Sequence, residues 1–247
     1  MRRIDVCLSP TMFQCYANNN TIVIIIDAIR ASASICTAFM NGVELIIPVS
    51  EKEVALKYRK KGYIIAGERE GKKIDGFDFG NSPFNFSEEN IKGKKLAFTT
   101  TNGTRVINIV KDADIVDVEL IIGSFLNISS IAKYVSSKDK DVMVLCSAWK
   151  DTVNIEDTLF AGKLVNLLAQ NNEYELFESA NLSQDIFLNS HSSYYDFVMR
   201  NSPRLKAKSK LLEKDFRYCL SEDLTDIIPY LEGNKLVIKK HKSWYKN

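Results

Sequence analysis

The chain has 247 residues, and its 33 Lys and Arg side chains nearly balance its 31 Asp and Glu side chains, so its formal net charge is +2. Because acidic residues interrupt almost every basic stretch, the sequence lacks the clustered basic surface of a nucleic-acid-binding protein. Its longest apolar run, residues 22–26, is much shorter than the roughly 18 residues needed to cross a bilayer.

The cysteines and the first residues predict a reduced, cytoplasmic protein. Five cysteines form an odd set without a CxxC pair, which disfavours both a disulfide framework and a thiolate zinc site. The first residues lack the apolar region of a signal peptide and are typical of a first strand. We therefore expect neither membrane nor nucleic acid among the partners.

Strands alternate with helices along the first hundred residues. Apolar runs predict strands at 4–8, 21–26, 44–49, 63–66 and 95–99, and helical spacing predicts helices at 33–40 and from a capping box at 50–53 to about 61. The run at 21–26 is apolar throughout, as expected of a central strand covered on both faces. Residues 67–94 lose this periodicity and predict a long loop, which in a compact domain usually has a function.

The second half continues the alternation. Strands are predicted at 119–122 and 141–146, and helices at 102–111, 129–135, 154–170 and 175–188. Residues 191–204 are expected to be irregular, and a hairpin is predicted with strands at 227–231 and 235–239 around Gly233 and Asn234. We expect a single α/β domain over residues 1–247, which leaves room for two subdomains, built on a mainly parallel sheet covered by helices.

Candidate functional residues follow the predicted strands, because ligands bind beyond the carboxyl ends of strands in open α/β sheets. After the strand at 21–26, Asp27 offers a carboxylate for a metal, Arg30 a guanidinium for phosphate, and Ser32 a hydroxyl near a helix N-terminus. The alternative interpretation is that Asp27 caps the helix and pairs with Arg30.

A second candidate segment lies between the strand at 95–99 and the next helix. Its hydroxyls, free backbone N–H groups and basic side chain suit an oxyanion at a helix N-terminus, and the residues concerned are Thr101, Asn102, Gly103, Thr104 and Arg105. A plain helix cap is the simpler alternative. Ser124 and Asn127 repeat the pattern more weakly after the strand at 119–122.

Four acidic residues complete the predicted site. Glu68 follows a predicted strand, and Glu156 and Asp157 begin a helix, where acidic residues are also favoured by the helix dipole alone. Together with Asp27 they are expected at one edge of one sheet, where they could share a hard cation. The chain has only two histidines, which disfavours a His-rich zinc site, so Mg²⁺ is the expected metal.

Several common designs for phosphate chemistry are absent from the sequence. No GK[ST] motif follows a Gly-rich turn, and the GxGxxG fingerprint is missing. The residues six positions after Cys146 and Cys219 are Thr152 and Thr225, where a cysteine phosphatase needs Arg. Ile29 stands where a haloacid-dehalogenase phosphatase needs a second Asp, and neither histidine lies in an Arg-His-Gly segment.

Five segments resemble the 2-phosphosulfolactate phosphatase family in order and spacing: 23–32 (VIIIDAIRAS), 67–69 (GER), 76–83 (GFDFGNSP), 99–105 (TTTNGTR) and 123–127 (GSFLN). Further similarity at 156–158, 161–162, 223 and 228–229 extends the resemblance over nearly the whole chain. Two segments depart from the family pattern. Members have Cys-Ala-Gly or a close relative where this chain has residues 146–148 (CSA), and a Ser-Arg-His-Gly-like segment where it has 202–205 (SPRL).

The resemblance implies a Mg²⁺-dependent phosphatase that converts 2-phospho-3-sulfolactate to 3-sulfolactate and phosphate, a step in coenzyme M biosynthesis. It also implies a three-layer α/β/α fold with a mixed, mainly parallel sheet. The expected partner is a small anionic phosphorylated substrate. A homodimer is left open, because aromatic residues such as Tyr194, Tyr195 and Trp244 could form an interface or cover the local core.

Our mechanistic hypothesis places Mg²⁺ between the phosphate and some of the four carboxylates. Asp27 is the central carboxylate, and its role as ligand, base or nucleophile is left open. Further candidates are phosphate-holding arginines, a catalytic thiol, and polar groups for the rest of the substrate: Arg30, Arg69, Arg105, Cys146, Asn81, Ser82 and Asn127. The alternatives are a Mg²⁺-dependent phosphatase for another small 2-phospho-carboxylate and a non-catalytic binder of an anionic metabolite.

Overall fold

The computed structural model describes residues 1–170, 172–190 and 193–239. The strands are β1 (Arg2–Cys7), β2 (Thr21–Ile26), β3 (Leu45–Pro48), β4 (Ile64–Arg69), β5 (Lys72–Lys73), β6 (Lys95–Thr99), β7 (Glu119–Gly123), β8 (Asp141–Cys146), β9 (Tyr174–Leu176), β10 (Pro229–Glu232) and β11 (Lys235–Ile238). The helices are α1 (Phe13–Tyr16), α2 (Ala31–Met40), α3 (Lys52–Arg59), α4 (Glu88–Ile91), α5 (Gly103–Lys111), α6 (Ile128–Ser136), α7 (Ile155–Ala169), α8 (Glu178–Leu188), α9 (Tyr194–Asn201) and α10 (Pro203–Cys219).

All these strands belong to one mixed sheet, in the order β5-β4-β6-β3-β11-β10-β7-β2-β8-β1-β9. The strands from β7 to β9 are parallel to one another, and so are β3, β6 and β4. The antiparallel hairpin β10–β11 lies between the two groups and pairs Tyr230 with Ile121 of β7 and Leu236 with Ile46 of β3. The predicted mixed, mainly parallel sheet is confirmed.

Strand β2 is buried along its whole length between β7 and β8. Because side chains alternate across a strand, Ile24 packs in one core cluster with Leu164 of α7, and Ile25 in another with Ile35 of α2. Helices thus cover both faces of the sheet, as the expected three-layer α/β/α fold requires. A Cβ built on Gly162 of α7 would come within 1.9 Å of the Ser183 carbonyl oxygen, so only glycine allows α7 and α8 to pack this closely.

The structure differs from the predicted elements in several places. Helices α9 and α10 occupy part of the stretch expected to be irregular, and α10 begins with Pro203 at its first position while the Ser202 hydroxyl accepts a hydrogen bond from the Leu205 N–H. Strand β4 continues through Glu68, and residues 174–176 form β9. The predicted capping box at 50–53 is wrong, because the Ser50 hydroxyl accepts instead from the Asn108 side chain.

No helix within the described parts of the chain is both long and apolar enough to cross a membrane. Tyr194 and Tyr195 lie on α9 and pack against the core while partly buried, which agrees with the core-covering alternative for these two side chains. His191 and Trp244, together with the basic residues after Lys239, lie outside the described residues.

Candidate active site

A cleft of about 450 Å³ opens beyond the carboxyl ends of β2 and β4. Asp27, Glu68, Thr101 and Asn102 line it, and α10 contributes Arg204 and other residues. A Cβ built on Gly103 would lie 3.5 Å from the Ala31 side chain and 3.7 Å from an Asp27 carboxylate oxygen. The loops after β2 and β6 therefore meet beside the cleft. Asp27 follows β2 of one parallel group and Glu68 lies at the end of β4 of the other, so the carboxylates do not come from one uniformly parallel sheet as the sequence suggests.

Asp27 is held where the chain turns from β2 into α2. Its N–H donates to the Ser32 hydroxyl at 2.9 Å, and the Ala31 N–H donates to an Asp27 carboxylate oxygen at 3.4 Å. Burial of the carboxyl, reinforced by the negative charges of Glu68 and Glu156, raises its pKa to about 7. The Ala31 N–H and the Arg204 guanidinium oppose this rise without cancelling it. Asp27 therefore changes its protonation state near neutral pH.

Glu68 joins two loops at the same cleft. One carboxylate oxygen accepts a hydrogen bond from the Gly71 N–H at 2.6 Å, and the other accepts one from the Thr101 N–H at 2.7 Å. The carboxylate is buried but lines the cleft. Each of its oxygens keeps a further lone pair, so Glu68 can position Thr101 and still contact a cation.

Glu156 is buried beneath Arg204. One of its carboxylate oxygens forms an ion pair with the Arg204 guanidinium, while the other is buried without a hydrogen-bond partner among the described residues. Arg204 also donates to the Asn154 side-chain oxygen at 3.3 Å and lies 5.4 Å from the centre of the Trp149 ring. An unpaired buried carboxylate oxygen is costly, which favours a bound cation or water beside Glu156.

Asp157 has a different environment from the other three carboxylates. One oxygen accepts from the Ala28 N–H at 2.9 Å, and the other accepts from the Ala148 N–H at 3.2 Å and from two side chains, Ser147 and Asn154, at 3.3 Å. Asp157 does not line the cleft, and its hydrogen bonds fix the loops that follow β2 and β8. Its role as a metal ligand stays a prediction.

The remaining carboxylates suit a magnesium ion. Within the described residues, no group of three or more His, Cys, Asp or Glu side chains is arranged as a metal site. Mg²⁺, however, is usually held by one or two carboxylates together with phosphate oxygens and water. Asp27 and Glu68 both line the cleft, and the buried Asn81 side-chain oxygen, which also lines it, has no hydrogen-bond partner among the described residues. These oxygen ligands fit a hard cation bound together with a phosphate ester.

The predicted phosphate-binding arginines are mostly engaged elsewhere. Arg30 lines the cleft, but its guanidinium pairs with buried Asp215 and donates to the Gly71 carbonyl at 3.1 Å. Arg69 donates to the Glu68 and Ser50 carbonyls and to the Thr99 hydroxyl, and Arg105 pairs with Asp151 at the surface. These two arginines line a neighbouring depression and not the cleft, so their contact with a phosphate beside Asp27 stays a prediction.

Other predicted residues support the loops around the cleft. Thr101 and Asn102 line it, and the Asn102 side chain donates to the Ala148 carbonyl at 2.8 Å. Thr104 donates to the Thr100 carbonyl at 3.0 Å, so it stabilises the first turn of α5. The Ser82 hydroxyl donates to Asp215 at 2.9 Å and thereby fixes α10.

Three predicted residues lie away from the cleft. Ser124 and Asn127 are fully buried and cap each other's backbone in the turn after β7. Cys146 is also fully buried, and burial raises the pKa of its thiol well above the usual range, which opposes formation of the reactive thiolate. None of the three lines the cleft, so their contact with substrate stays a prediction.

The cleft also contains residues that the sequence analysis did not select. Trp149 and Lys150 follow β8, and Arg204 and Lys208 lie four residues apart on α10. The Pro203 that begins α10 is a local signal for this helix, and the spacing of Arg204 and Lys208 places them on one face. That signal was available in the sequence but lay in a stretch interpreted as irregular.

Comparison with known proteins identifies the family of this chain. The sequence model of the 2-phosphosulpholactate phosphatase family matches residues 7–234. A "Probable 2-phosphosulfolactate phosphatase" of Thermotoga petrophila is 35% identical over 237 residues, which cover 96% of this chain and 99% of that protein. Proteins of the same name from Caldanaerobacter subterraneus subsp. tengcongensis and Clostridium novyi are 35% and 34% identical, over 85% and 95% of this chain and 88% and 99% of their own lengths. The chain therefore belongs to the 2-phosphosulfolactate phosphatase family, a family of phosphoric monoester hydrolases.

Proposed function

We propose that this protein hydrolyses 2-phospho-3-sulfolactate to 3-sulfolactate and phosphate in a Mg²⁺-dependent reaction. Family membership supports the choice of substrate. The observation that carries the metal dependence is the position of Asp27, where burial and two further carboxylates raise its pKa to about 7. Such a cluster of carboxylates would repel an anionic ester unless a cation lay between them.

Asp27 and Glu68 would hold the metal at the cleft, with the unpaired oxygen of Glu156 nearby. Mg²⁺, when bound, neutralises charge on the phosphate oxygens and orients the ester for in-line displacement. The N-terminus of α5, which begins at Gly103, presents free N–H groups that favour an anion at this end of the cleft.

The side chains around the metal site have separate tasks. Glu68 fixes the Thr101 N–H, and Asp157 fixes the loops after β2 and β8 through Ala28 and Ala148. Asp27, with a pKa near 7, takes up or releases a proton at its carboxylate when a ligand enters or leaves.

The test is release of phosphate from 2-phospho-3-sulfolactate with Mg²⁺ and with EDTA, with phospholactate and phosphoglycolate as comparison substrates. We expect release in Mg²⁺, fastest from the sulfonate, and a loss of at least ~100-fold in EDTA and in Asp27→Asn. Glu89→Gln, which changes an exposed carboxylate on α4, is the matched control and should retain wild-type activity.

Each other outcome contradicts a specific part of the proposal. Full activity in EDTA contradicts metal dependence, and faster release from phospholactate contradicts the substrate. If no ester is hydrolysed and Asp27→Asn binds the esters as well as or better than the wild-type protein, the cleft is a non-catalytic anion site.

A further inference from the structure

The cleft contains cationic side chains that are not neutralised by the protein itself. Four basic residues line it: Arg30, Lys150, Arg204 and Lys208. Arg30 pairs with Asp215 and Arg204 pairs with Glu156, both buried carboxylates. Lys150 and Lys208 form no ion pair with the parts of the chain that the structure describes. These two lysines are therefore the cleft cations that remain available to an anionic ligand.

Lys208 extends from α10 one turn beyond Arg204, on the same face of the helix. Its ammonium lies 3.6 Å from the position of a Cβ built on Gly71, a residue of the loop that Glu68 and Arg30 also contact. Lys208 thus approaches from α10 the loop that carries a candidate metal ligand. A ligand bound at Asp27 and Glu68 would lie within the same cleft as this ammonium.

Lys150 reaches the cleft from the turn after β8. Residues 148, 150 and 151 of this turn all have positive φ angles, with Lys150 at 52°. The Lys150 ammonium lies 4.8 Å from the centre of the Trp149 ring, and that ring is also close to Arg204. Trp149 therefore connects the Lys150 turn with the beginning of α10.

The charges of the proposed substrate match this arrangement. Besides its phosphate, 2-phospho-3-sulfolactate carries a carboxylate and a sulfonate, which take no part in the hydrolysis. The two proposed metal ligands, Asp27 and Glu68, line the same cleft as the two lysines, which form no ion pair with described residues. We propose that Lys150 and Lys208 bind the carboxylate and the sulfonate and so determine the preference for a substrate that carries both. This inference rests on the proposed function and assigns residues to its specificity.

Replacing these lysines should change the selectivity between substrates. We would compare 2-phospho-3-sulfolactate with phospholactate, which lacks the sulfonate, and with isopropyl phosphate, which lacks both anionic groups. Because a hydrogen bond to a charged group strengthens binding by about 10- to 100-fold, Lys208→Ala and Lys150→Ala should each lower the ratio of kcat/KM for 2-phospho-3-sulfolactate to that for isopropyl phosphate at least ~10-fold. The loss should appear mainly in KM.

Phospholactate, which carries the carboxylate but not the sulfonate, shows which anion each lysine binds. A variant that loses selectivity for 2-phospho-3-sulfolactate over phospholactate has lost a contact with the sulfonate. A variant that loses selectivity for both over isopropyl phosphate has lost a contact with the carboxylate. Lys206→Ala removes an exposed lysine of the same helix that does not line the cleft, and it should leave every ratio within about twofold.

Two results would overturn the proposal. One is unchanged ratios of kcat/KM between the esters in both lysine variants, and the other is an equal loss of kcat/KM with all three esters. If the wild-type protein hydrolyses none of the esters, the proposed function fails. In that case, the affinity for 3-sulfolactate measured by calorimetry tests the lysine subsite separately. Binding by the wild-type protein that weakens at least ~10-fold in Lys208→Ala supports the subsite, and absence of binding or equal binding contradicts it.

Discussion

Asp27 and Asp157 have different environments, although the sequence predicts both as metal ligands. Asp27 directly follows β2 and lines the cleft, whereas Asp157 lies in the first turn of α7 and does not line it. Asp157 accepts four internal hydrogen bonds, whereas Asp27 accepts one at 3.4 Å and lies near two further carboxylates. Asp27 therefore keeps more free acceptor capacity than Asp157.

The raised pKa of Asp27 predicts a pH-dependent affinity for Mg²⁺. Below its pKa of about 7 the carboxyl in the metal-free protein holds a proton, and the metal must displace it. Above that value the carboxylate is already ionised, so we expect affinity to rise with pH up to about 7 and then to level off. The measurement is the Mg²⁺-induced increase in Tm at about pH 5.5 and about pH 8.

The Asp27→Asn variant tests whether this carboxyl causes the effect. It should abolish most of the Mg²⁺-induced increase in Tm at both pH values. An increase in the wild-type protein that is equally large at the two pH values would show that Asp27 does not compete with protons for the metal.

Asp157→Asn should destabilise the fold even without a metal. An asparagine side chain has only one acceptor oxygen and would turn its NH₂ group toward N–H donors, so the free energy of unfolding should fall by about 3 kcal/mol. Both variants relieve repulsion from neighbouring carboxylates, but Asp27 accepts only one long hydrogen bond, so Asp27→Asn should not lower the metal-free stability at pH 8. Urea unfolding of both variants in EDTA provides the comparison, and equal destabilisation would contradict the distinct roles.

At the scale of elements, α10 forms a wall of the cleft, and the buried ion pair between Arg30 and Asp215 anchors its C-terminal half. Asp215, on the C-terminal half of this helix, accepts from Arg30 and from the Ser82 hydroxyl. Leu212 has non-helical φ and ψ angles, so the helix is kinked between its cleft-lining lysine and this anchor. The position of Lys208 and Arg204 therefore depends on contacts made further along the helix.

Removing the buried charge of Asp215 should lower the free energy of unfolding more than breaking an exposed ion pair of the same helix. Asp215→Asn leaves the buried Arg30 guanidinium without its counter-charge, which costs about 3–5 kcal/mol. Glu213→Gln breaks the exposed pair with Arg217 and should leave the free energy of unfolding nearly unchanged, because solvent screens that pair. Urea unfolding measures both free energies, and similar values for the two variants would show that Asp215 does not anchor α10.

The sequence predicts the strands of the sheet better than it predicts α10 or the role of Arg30. Apolar runs such as residues 22–26 are local signals for buried strands, and the structure confirms them. The stretch leading into α10 is polar and was expected to be irregular, although Pro203 marks the beginning of a helix. The pairing of Arg30 with Asp215 could not be predicted, because the two residues are 185 positions apart and no local sequence pattern connects them.

At the scale of the whole molecule, the hairpin β10–β11 joins two groups of parallel strands. It is antiparallel to its neighbour on each side, so β3 runs opposite to β7. The sequence predicts the hairpin from its turn residues but not its place in the middle of the sheet, because non-local pairing has no local signal. The loops after β2 and β6 follow strands of different parallel groups. They meet beside the cleft when the hairpin joins the two groups in one sheet.

The variant Leu236→Ala tests whether the two groups of parallel strands unfold as one cooperative unit. This residue of β11 is fully buried opposite Ile46, so Leu236→Ala should lower the free energy of unfolding by about 2–5 kcal/mol. Ile238→Ala, at a residue 36% exposed on the same strand, should cost less than about 1 kcal/mol. In urea we expect the whole transition of Leu236→Ala to move to lower concentration, with circular dichroism and fluorescence coinciding. Two separate transitions would instead mean that the strand groups unfold independently, and the hairpin would then be a link between two subdomains.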